Sequence, residues 1–202
     1  AAFYVIDKNR SWYNATHHSI QSAMVPALTP FQEVITLGNS MGGFGAIYFA
    51  PLFPACRASI AFSPHFSIAP GIGPRRDRRS RKFRDRIKSW PVSHALQHAR
   101  DTICYFLFYG SKDMRDRRHA ELFLNPSRKV SRKRPRNMHI FSVDGCGHEI
   151  AAFLKSRHCL RPLLDGILHQ NFREQHIGHL FKSSGIRFHH NTIPFSFRAF
   201  MP

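Results

Sequence analysis

Short apolar runs alternate with amphipathic segments along most of the chain. Five runs rich in aromatic and β-branched residues have the pattern of buried strands: residues 2–7, 34–37, 58–62, 102–110 and 138–143. Apolar positions at helical spacing predict helices at about residues 17–28, 41–50, 115–124 and from 149 onward. Pro26 is expected to end or kink the first helix. This alternation predicts an α/β fold, with a mostly parallel sheet and helices on both faces.

The 202 residues are enough for one domain with a substantial core. At about residues 65–100 the alternation is interrupted by proline, glycine and a dense arginine run, which predicts an insertion. Residues 179–202 show no clear period, and we expect a loosely packed or disordered tail there. The predicted organisation is therefore one domain over residues 1–178, with the insertion inside it, followed by this tail.

A five-residue motif marks the junction of the second predicted strand and the second predicted helix. Gly38, Ser40 and Gly42 occupy the fixed positions of G-x-S-x-G, in the strand-to-helix context that this motif requires. Such a turn forces the serine into an unfavourable backbone conformation, and small residues on either side avoid collisions. Ser40 is therefore a candidate nucleophile, and the Met41 amide, at the start of the helix, is a candidate oxyanion donor.

Candidate partners for Ser40 follow the later predicted strands. Asp113 comes shortly after the strand at residues 102–110, and His148 lies in the glycine-rich loop after the strand at residues 138–143. The carboxyl ends of parallel strands meet at one edge of a sheet, so these side chains can converge on the serine. Asp113 is the preferred acid because it is nearer to its strand, and Asp116 is the alternative. Asp113 also fits a helix cap.

These segments resemble the α/β-hydrolase superfamily. The stretch from residue 34 to 64, with GNSMGGFGAIYFA, resembles the nucleophile elbow, its helix and the next strand, and CGHEIAAFLK resembles the histidine loop and helix. The resemblance covers about residues 2–164. It implies a serine hydrolase or acyltransferase acting on an ester, thioester or amide, with Ser40 as nucleophile, His148 as base and Asp113 as acid. This superfamily commonly builds a cap over its substrate, here a small acyl compound, at the position of the insertion; the alternative for the insertion is a solvated, mobile charged loop.

The beginning of the chain departs from the pattern of that superfamily. The superfamily takes a second oxyanion donor from the loop after an earlier strand, whereas here residues 2–7 are the only predicted strand before the elbow strand. If residues 2–7 match the strand just before the elbow strand, the donor-bearing strand is missing. We therefore expect an N-terminally truncated fold with an exposed sheet edge and an incomplete oxyanion hole.

The charge balance supports a second hypothesis. The chain has 30 Lys and Arg against 12 Asp and Glu, a formal net charge of +18, which favours binding to anions. Two basic clusters lie at residues 75–88 and 128–136; the first could recognise an anionic substrate. The alternative to a hydrolase is a non-catalytic or degraded hydrolase-fold protein that binds polyanions. Aromatic residues are not interleaved with the second cluster, so sequence-specific nucleic-acid recognition is not supported.

Cysteine and histidine spacing gives no sign of a metal site. The four cysteines are far apart, and the adjacent histidine pairs at 17–18 and 189–190 lack the spacing that directs ligands at one ion. We expect no metal, no cofactor and reduced thiols in a cytoplasmic setting. The chain has no apolar run long enough to predict a transmembrane helix.

Overall fold

The computed structural model describes residues 1–74, 81–126, 135–169 and 174–192. Its sheet has five strands in sequence order: β1 (Val34–Asn39), β2 (Cys56–Phe62), β3 (Cys104–Gly110), β4 (Met138–Val143) and β5 (Phe188–Thr192). The first four strands are parallel, and β5 pairs antiparallel with β4. The predicted α/β class and mostly parallel sheet are therefore confirmed.

The connections between the strands are mainly helical. The helices are α1 (His17–Leu28), α2 (Met41–Phe49), α3 (Arg81–Arg84), α4 (Met114–Leu124), α5 (Ile150–Ser156), α6 (Leu160–Leu168) and α7 (Glu174–Ser183), with a 3₁₀ turn at Ala50–Leu52. Pro26 lies inside α1 without ending it. Since Pro26 is in the last turn, the helix loses little of its hydrogen bonding there.

Helices cover both faces of the sheet, as the sequence predicts. On one face, Phe44 and Ile47 of α2 and Phe123 of α4 pack with buried residues of the insertion. On the other face, side chains of α5, α6 and α7 pack against β2, β3 and β4, with Leu154 and Phe181 fully buried. The two apolar layers leave the carboxyl ends of the strands open for a site.

Residues 2–7 do not form the predicted strand. A strand needs a hydrogen-bonded neighbour, and β1 forms the edge of the sheet without pairing to residues 2–7. The apolar side chains Phe3, Tyr4 and Ile6 remain exposed. They lie near the exposed sheet edge, where residues 1–5 and β1 line a cavity of about 530 Å³.

The expectation of a loosely packed tail is wrong for residues 179–192. Residues 179–183 belong to α7, and β5 extends the sheet. β5 has no apolar pattern to predict it, because its segment, FHHNT, is mostly polar. Cross-strand contacts support its pairing, such as the stacking of His190 on Phe141 with ring centroids 4.3 Å apart. Residues 193–202 lie outside the described residues.

The insertion at residues 65–100 is described in part. Its described residues have little regular structure beyond the four residues of α3, yet they bury Phe66, Val92 and Leu96 against the sheet. Residues 75–80 of the first basic cluster and 128–134 of the second lie outside the described residues. Within the described ranges no helix is both long and apolar enough to cross a membrane. All four cysteines are free thiols.

Candidate active site

Ser40 occupies a strained turn between β1 and α2. Its φ of 54° and ψ of −116° lie in a region that residues with a side chain rarely adopt. The Ser40 amide donates a hydrogen bond of 2.8 Å to the Phe62 carbonyl at the end of β2, which ties the turn to the sheet. The turn thus places Ser40 at the carboxyl edge of the sheet, as the motif predicts.

The glycines of the motif are not equivalent. A Cβ on Gly38 would lie 2.1 Å from the Gly42 carbonyl oxygen, so this position can hold only glycine without moving the backbone. A Cβ on Gly42 would meet nothing within 4 Å. The predicted steric requirement for a small residue therefore applies to Gly38 alone. The backbone of Gly42 occupies the space that a Gly38 side chain would need.

We expect Gly38→Ala to destabilise the protein by more than about 3 kcal/mol or to prevent folding, because the clash is with backbone atoms. Gly42→Ala is the matched control, and we expect it to raise the free energy of unfolding by up to about 1 kcal/mol, since alanine favours a helix over glycine. Urea unfolding of both variants checks this. Equal stability of the two would contradict the structure of the elbow.

The loop that carries His148 is fixed against the ends of two other strands. The Lys112 amide donates a hydrogen bond of 3.0 Å to the Cys146 carbonyl, and the Ser63 hydroxyl donates one of 3.1 Å to the His148 carbonyl. At the end of β3, a Cβ on Gly110 would lie 2.2 Å from the Gly147 carbonyl oxygen. This close packing orients His148 toward the edge of the sheet that holds Ser40.

The carboxylate that contacts His148 is Asp116, not Asp113. Nδ1 of His148 lies 2.9 Å and 3.0 Å from the two Asp116 carboxylate oxygens. Because a carboxylate only accepts hydrogen bonds, Nδ1 donates and Nε2 of the neutral ring is left to accept a proton. Asp116 is 3% exposed, so water competes little for this contact. The preference for Asp113 as the acid is therefore corrected in favour of the alternative.

Asp113 instead caps α4. Its carboxylate accepts from the Arg115 amide at 2.8 Å and from the Asp116 amide at 3.3 Å, and it pairs with the Arg115 side chain at 2.9 Å. Burial acts to raise the pKa of Asp113, but the hydrogen bonds from the Arg115 side chain and the two amides outweigh it and lower the pKa to about 2. Distance from β3 favoured Asp113 in the sequence, but that distance does not decide between a helix cap and its neighbour three residues later, since both follow the same strand.

The contact with Asp116 changes the acid–base behaviour of His148. The hydrogen bond to Asp116 raises the pKa of His148 above 6.5, against the opposing effect of burial, and the charges of Asp116, Asp113 and Glu149 act in the same direction as that bond. These contacts therefore stabilise the protonated form of His148. A side chain that acts as a general base needs this, because it must hold the proton that it accepts.

Loss of the Asp113 cap gives a stability prediction. We expect Asp113→Ala to lower the free energy of unfolding by about 1 kcal/mol at pH 7, because α4 loses a side-chain acceptor for its first amides. The pKa of about 2 is below the ordinary 3.8, so this stability is present above pH 3.8 and is lost as the pH falls toward 2. Chemical denaturation of wild type and variant between pH 7 and pH 2 checks this; a constant difference would contradict the cap.

Ser40, Asp116 and His148 line one cavity of about 360 Å³. Met41 also lines it, and as the first residue of α2 its amide has no acceptor within the helix. The sequence-based reasoning missed the other residues that form the wall: Arg10, Trp12, Asn39, His65, Phe83 and Arg115. Asn39 is a variable position of the G-x-S-x-G motif at the end of β1, whereas the other five come from the loop after residue 7, from the insertion and from α4, segments that lack a motif.

The loop of residues 8–16 is held by the buried Asp7. One carboxylate oxygen of Asp7 accepts from the Ser11 amide at 2.7 Å and from the Tyr13 amide at 2.9 Å. Arg10, Trp12 and Tyr13 all have positive φ, which is strained for residues with side chains. Asp7 at the end of an apolar run could have predicted this loop from the sequence, because a buried carboxylate needs several hydrogen-bond donors and the following amides can supply them.

Most amides of that loop donate within the loop itself. Those of Arg10, Ser11, Tyr13, Asn14, Ala15 and Thr16 have acceptors among residues 7–13. Within the described ranges the Trp12 amide has no such acceptor. The sequence predicts an incomplete oxyanion hole, and among residues 10–16 the Trp12 amide is the one candidate for the missing second donor.

Asp113, Asp116 and His148 are the described residues whose ligand atoms come closest to the arrangement of a metal site. These atoms lie within 4.8 Å of one another. Both Asp113 oxygens already accept hydrogen bonds from Arg115, and Asp116 accepts from His148. A cation here would have to displace Arg115, so the donor set fits an acid–base pair better than a metal.

Comparison with known proteins gives structural neighbours only. No family model matches the chain, and no curated protein matches it. Est2, an esterase from the planctomycete Thermogutta terrifontis, is 16% identical over 80% of this chain and 63% of its own, with a TM-score of 0.49. MGS-MChE2, an α/β hydrolase from the metagenome of sediments of the Mar Chica lagoon in Morocco, is 15% identical over 72% and 71%, with a TM-score of 0.38.

The chain thus spans less than two thirds of the length of the first of these structures. Its own geometry defines its fold: a mostly parallel sheet, a strained serine between β1 and α2, and a His148–Asp116 pair at the same edge of the sheet. The chain has an α/β fold, in which a mostly parallel sheet is flanked by helices.

Proposed function

We propose that the protein is a serine hydrolase that cleaves a small ester, thioester or amide. The observation that supports this most strongly is that the strained Ser40 and His148 line the same cavity. Nδ1 of His148 is hydrogen-bonded to the buried carboxylate of Asp116. A nucleophile, a base and a group that orients the base are the three parts that activated-serine chemistry needs.

In the proposed reaction, Ser40 Oγ attacks the acyl carbonyl carbon and its proton passes to Nε2 of His148. The carbonyl oxygen becomes an oxyanion and accepts a hydrogen bond from the Met41 amide, which the N-terminal end of α2 favours further. Collapse of the tetrahedral intermediate breaks the bond to the leaving group, which takes the proton from His148. Water then attacks the acyl-Ser40 ester by the same steps and releases the acid.

Asp116 supports His148 through both halves of this reaction. Its bond to Nδ1 selects the tautomer in which Nε2 accepts, and its negative charge stabilises the imidazolium that forms. Asp113 stays with Arg115 and the first turn of α4. We assign Trp12 as the candidate for a second oxyanion donor, since its amide belongs to the loop that lines the cavity.

Hydrolysis of 4-nitrophenyl butyrate tests the proposal. We expect folded protein to release 4-nitrophenol faster than buffer does, and prior incubation with an organophosphonate to abolish this rate, because both reagents react with an activated serine. Folded protein that neither hydrolyses the ester nor reacts with the organophosphonate contradicts the proposal. Retention on heparin by such inactive protein would favour the polyanion-binding alternative.

A further inference from the structure

The charges on the wall of the cavity are unequal. Arg10 and Arg115 both line it, whereas Asp116 is the one carboxylate among the described residues that line it, and it is hydrogen-bonded to His148. Arg115 is paired with Asp113 at 2.9 Å. Across the described ranges Arg10 has no carboxylate within ion-pairing distance. The mouth of the cavity therefore presents a cation that the described residues do not neutralise.

The position of Arg10 is defined by its surroundings. The Arg10 amide donates a hydrogen bond of 3.1 Å to the Asp7 carbonyl, and the Ser11 amide donates one to the Asp7 carboxylate. The Arg10 backbone has a φ of 49°, so these bonds hold it in a conformation that costs energy. Its guanidinium carbon lies 5.4 Å from the centroid of the Phe83 ring, a cation–π contact with another residue that lines the cavity.

The rest of this wall is aromatic. The Trp12 indole nitrogen donates a hydrogen bond of 3.2 Å to Nδ1 of His65, and the two rings stack with their centroids 5.6 Å apart. Trp12 also lies against Phe83, with ring centroids 5.7 Å apart. These contacts join the loop that carries Arg10 to the insertion, so the cation is held on a wall built from two segments of the chain.

We propose that Arg10 binds an anionic group of the substrate, so that the protein prefers esters that carry a carboxylate or phosphate remote from the scissile bond. An arginine fork binds a carboxylate or phosphate through two parallel hydrogen bonds, which a neutral chain cannot replace. The aromatic wall accommodates the apolar part between the anion and the carbonyl. This inference rests on the proposed function for the reaction itself, but the binding part does not require turnover.

Two matched esters test the substrate class: mono-4-nitrophenyl glutarate, which carries a carboxylate, and its methyl ester, which does not. We expect wild type to show a kcat/KM about tenfold higher for the anionic ester, and we expect Arg10→Gln to abolish that preference. The control is Lys8→Gln, which removes the same charge from an exposed side chain of the same loop outside the cavity. It should keep the preference. Salt should weaken it in wild type, because Arg10 is exposed.

Binding to Ser40→Ala separates this inference from the proposed function. Trp12 lines the cavity, so we expect its fluorescence to report both esters, with about tenfold tighter binding of the anionic one that is lost in Ser40→Ala/Arg10→Gln. If wild type cleaves neither ester but Ser40→Ala still shows this difference, the hydrolase proposal fails and the anion site stands. Equal binding of the two esters, or a preference that survives Arg10→Gln, overturns the anion site.

Discussion

Ser40→Ala should reduce kcat for 4-nitrophenyl butyrate by at least about 10⁴-fold, because it removes the atom that forms the acyl-enzyme bond. The remaining rate comes from substrate binding and from the oxyanion donors, the Met41 amide and the candidate Trp12 amide. The substitution also removes little else, because the Ser40 amide donates to the Phe62 carbonyl and the Ser40 carbonyl accepts from the Phe44 amide, and alanine keeps both main-chain hydrogen bonds. We therefore expect the thermal midpoint to change little, so that lost activity reports lost chemistry.

Ser111→Ala is the matched control for this substitution. Ser111 lies just after β3 at the same edge of the sheet, and its amide, not its hydroxyl, donates 2.9 Å to the Val143 carbonyl. Its rate should stay within about twofold of wild type, as expected for a surface substitution away from the reacting atoms. A Ser40→Ala variant as active as Ser111→Ala would exclude Ser40 as the nucleophile.

Asp116→Asn should lower kcat by about 10³-fold to 10⁴-fold. An asparagine amide can donate to Nδ1, which favours the tautomer with the proton on Nε2, the nitrogen that must accept the serine proton. The variant keeps the shape of the side chain, so α4 and the His148 loop should remain in place. Initial rates of ester hydrolysis measure this effect directly.

The pH dependence of the same variant gives a second readout. In wild type, activity should rise with pH through a midpoint above 6.5, because the pKa of His148 is raised and only the neutral ring accepts a proton. The bond to Asp116 is the largest cause of that shift, so the midpoint should move to lower pH in Asp116→Asn. Asp113→Asn should leave kcat within about tenfold of wild type. The reverse pattern would restore Asp113 as the acid.

The sequence predicted the parts of this site that depend on local pattern. The apolar run before Gly38 and the helical spacing after it located Ser40, and the glycine-rich loop after β4 located His148. Both predictions use the strand and helix on either side of the residue. The four parallel strands followed from the same alternation, since each buried strand is nearly continuous in apolar residues.

The features that the sequence did not predict depend on contacts between distant segments. Asp113 and Asp116 are three residues apart, and only the position of His148 relative to α4 decides which one it contacts. Residues 2–7 are apolar but do not pair with a strand, and β5 is polar but pairs with β4. Arg10 reaches the cavity through a loop that depends on Asp7. Periodicity carries no information on such pairings.

The most direct test of the central claim is the site at which a fluorophosphonate attaches to the folded protein. Tandem mass spectrometry of the digested adduct should place one phosphonyl group per chain on Ser40, and none should form in denatured protein or in Ser40→Ala. An adduct on another residue, or equal labelling of folded protein and Ser40→Ala, would contradict the assignment of Ser40 as an activated nucleophile.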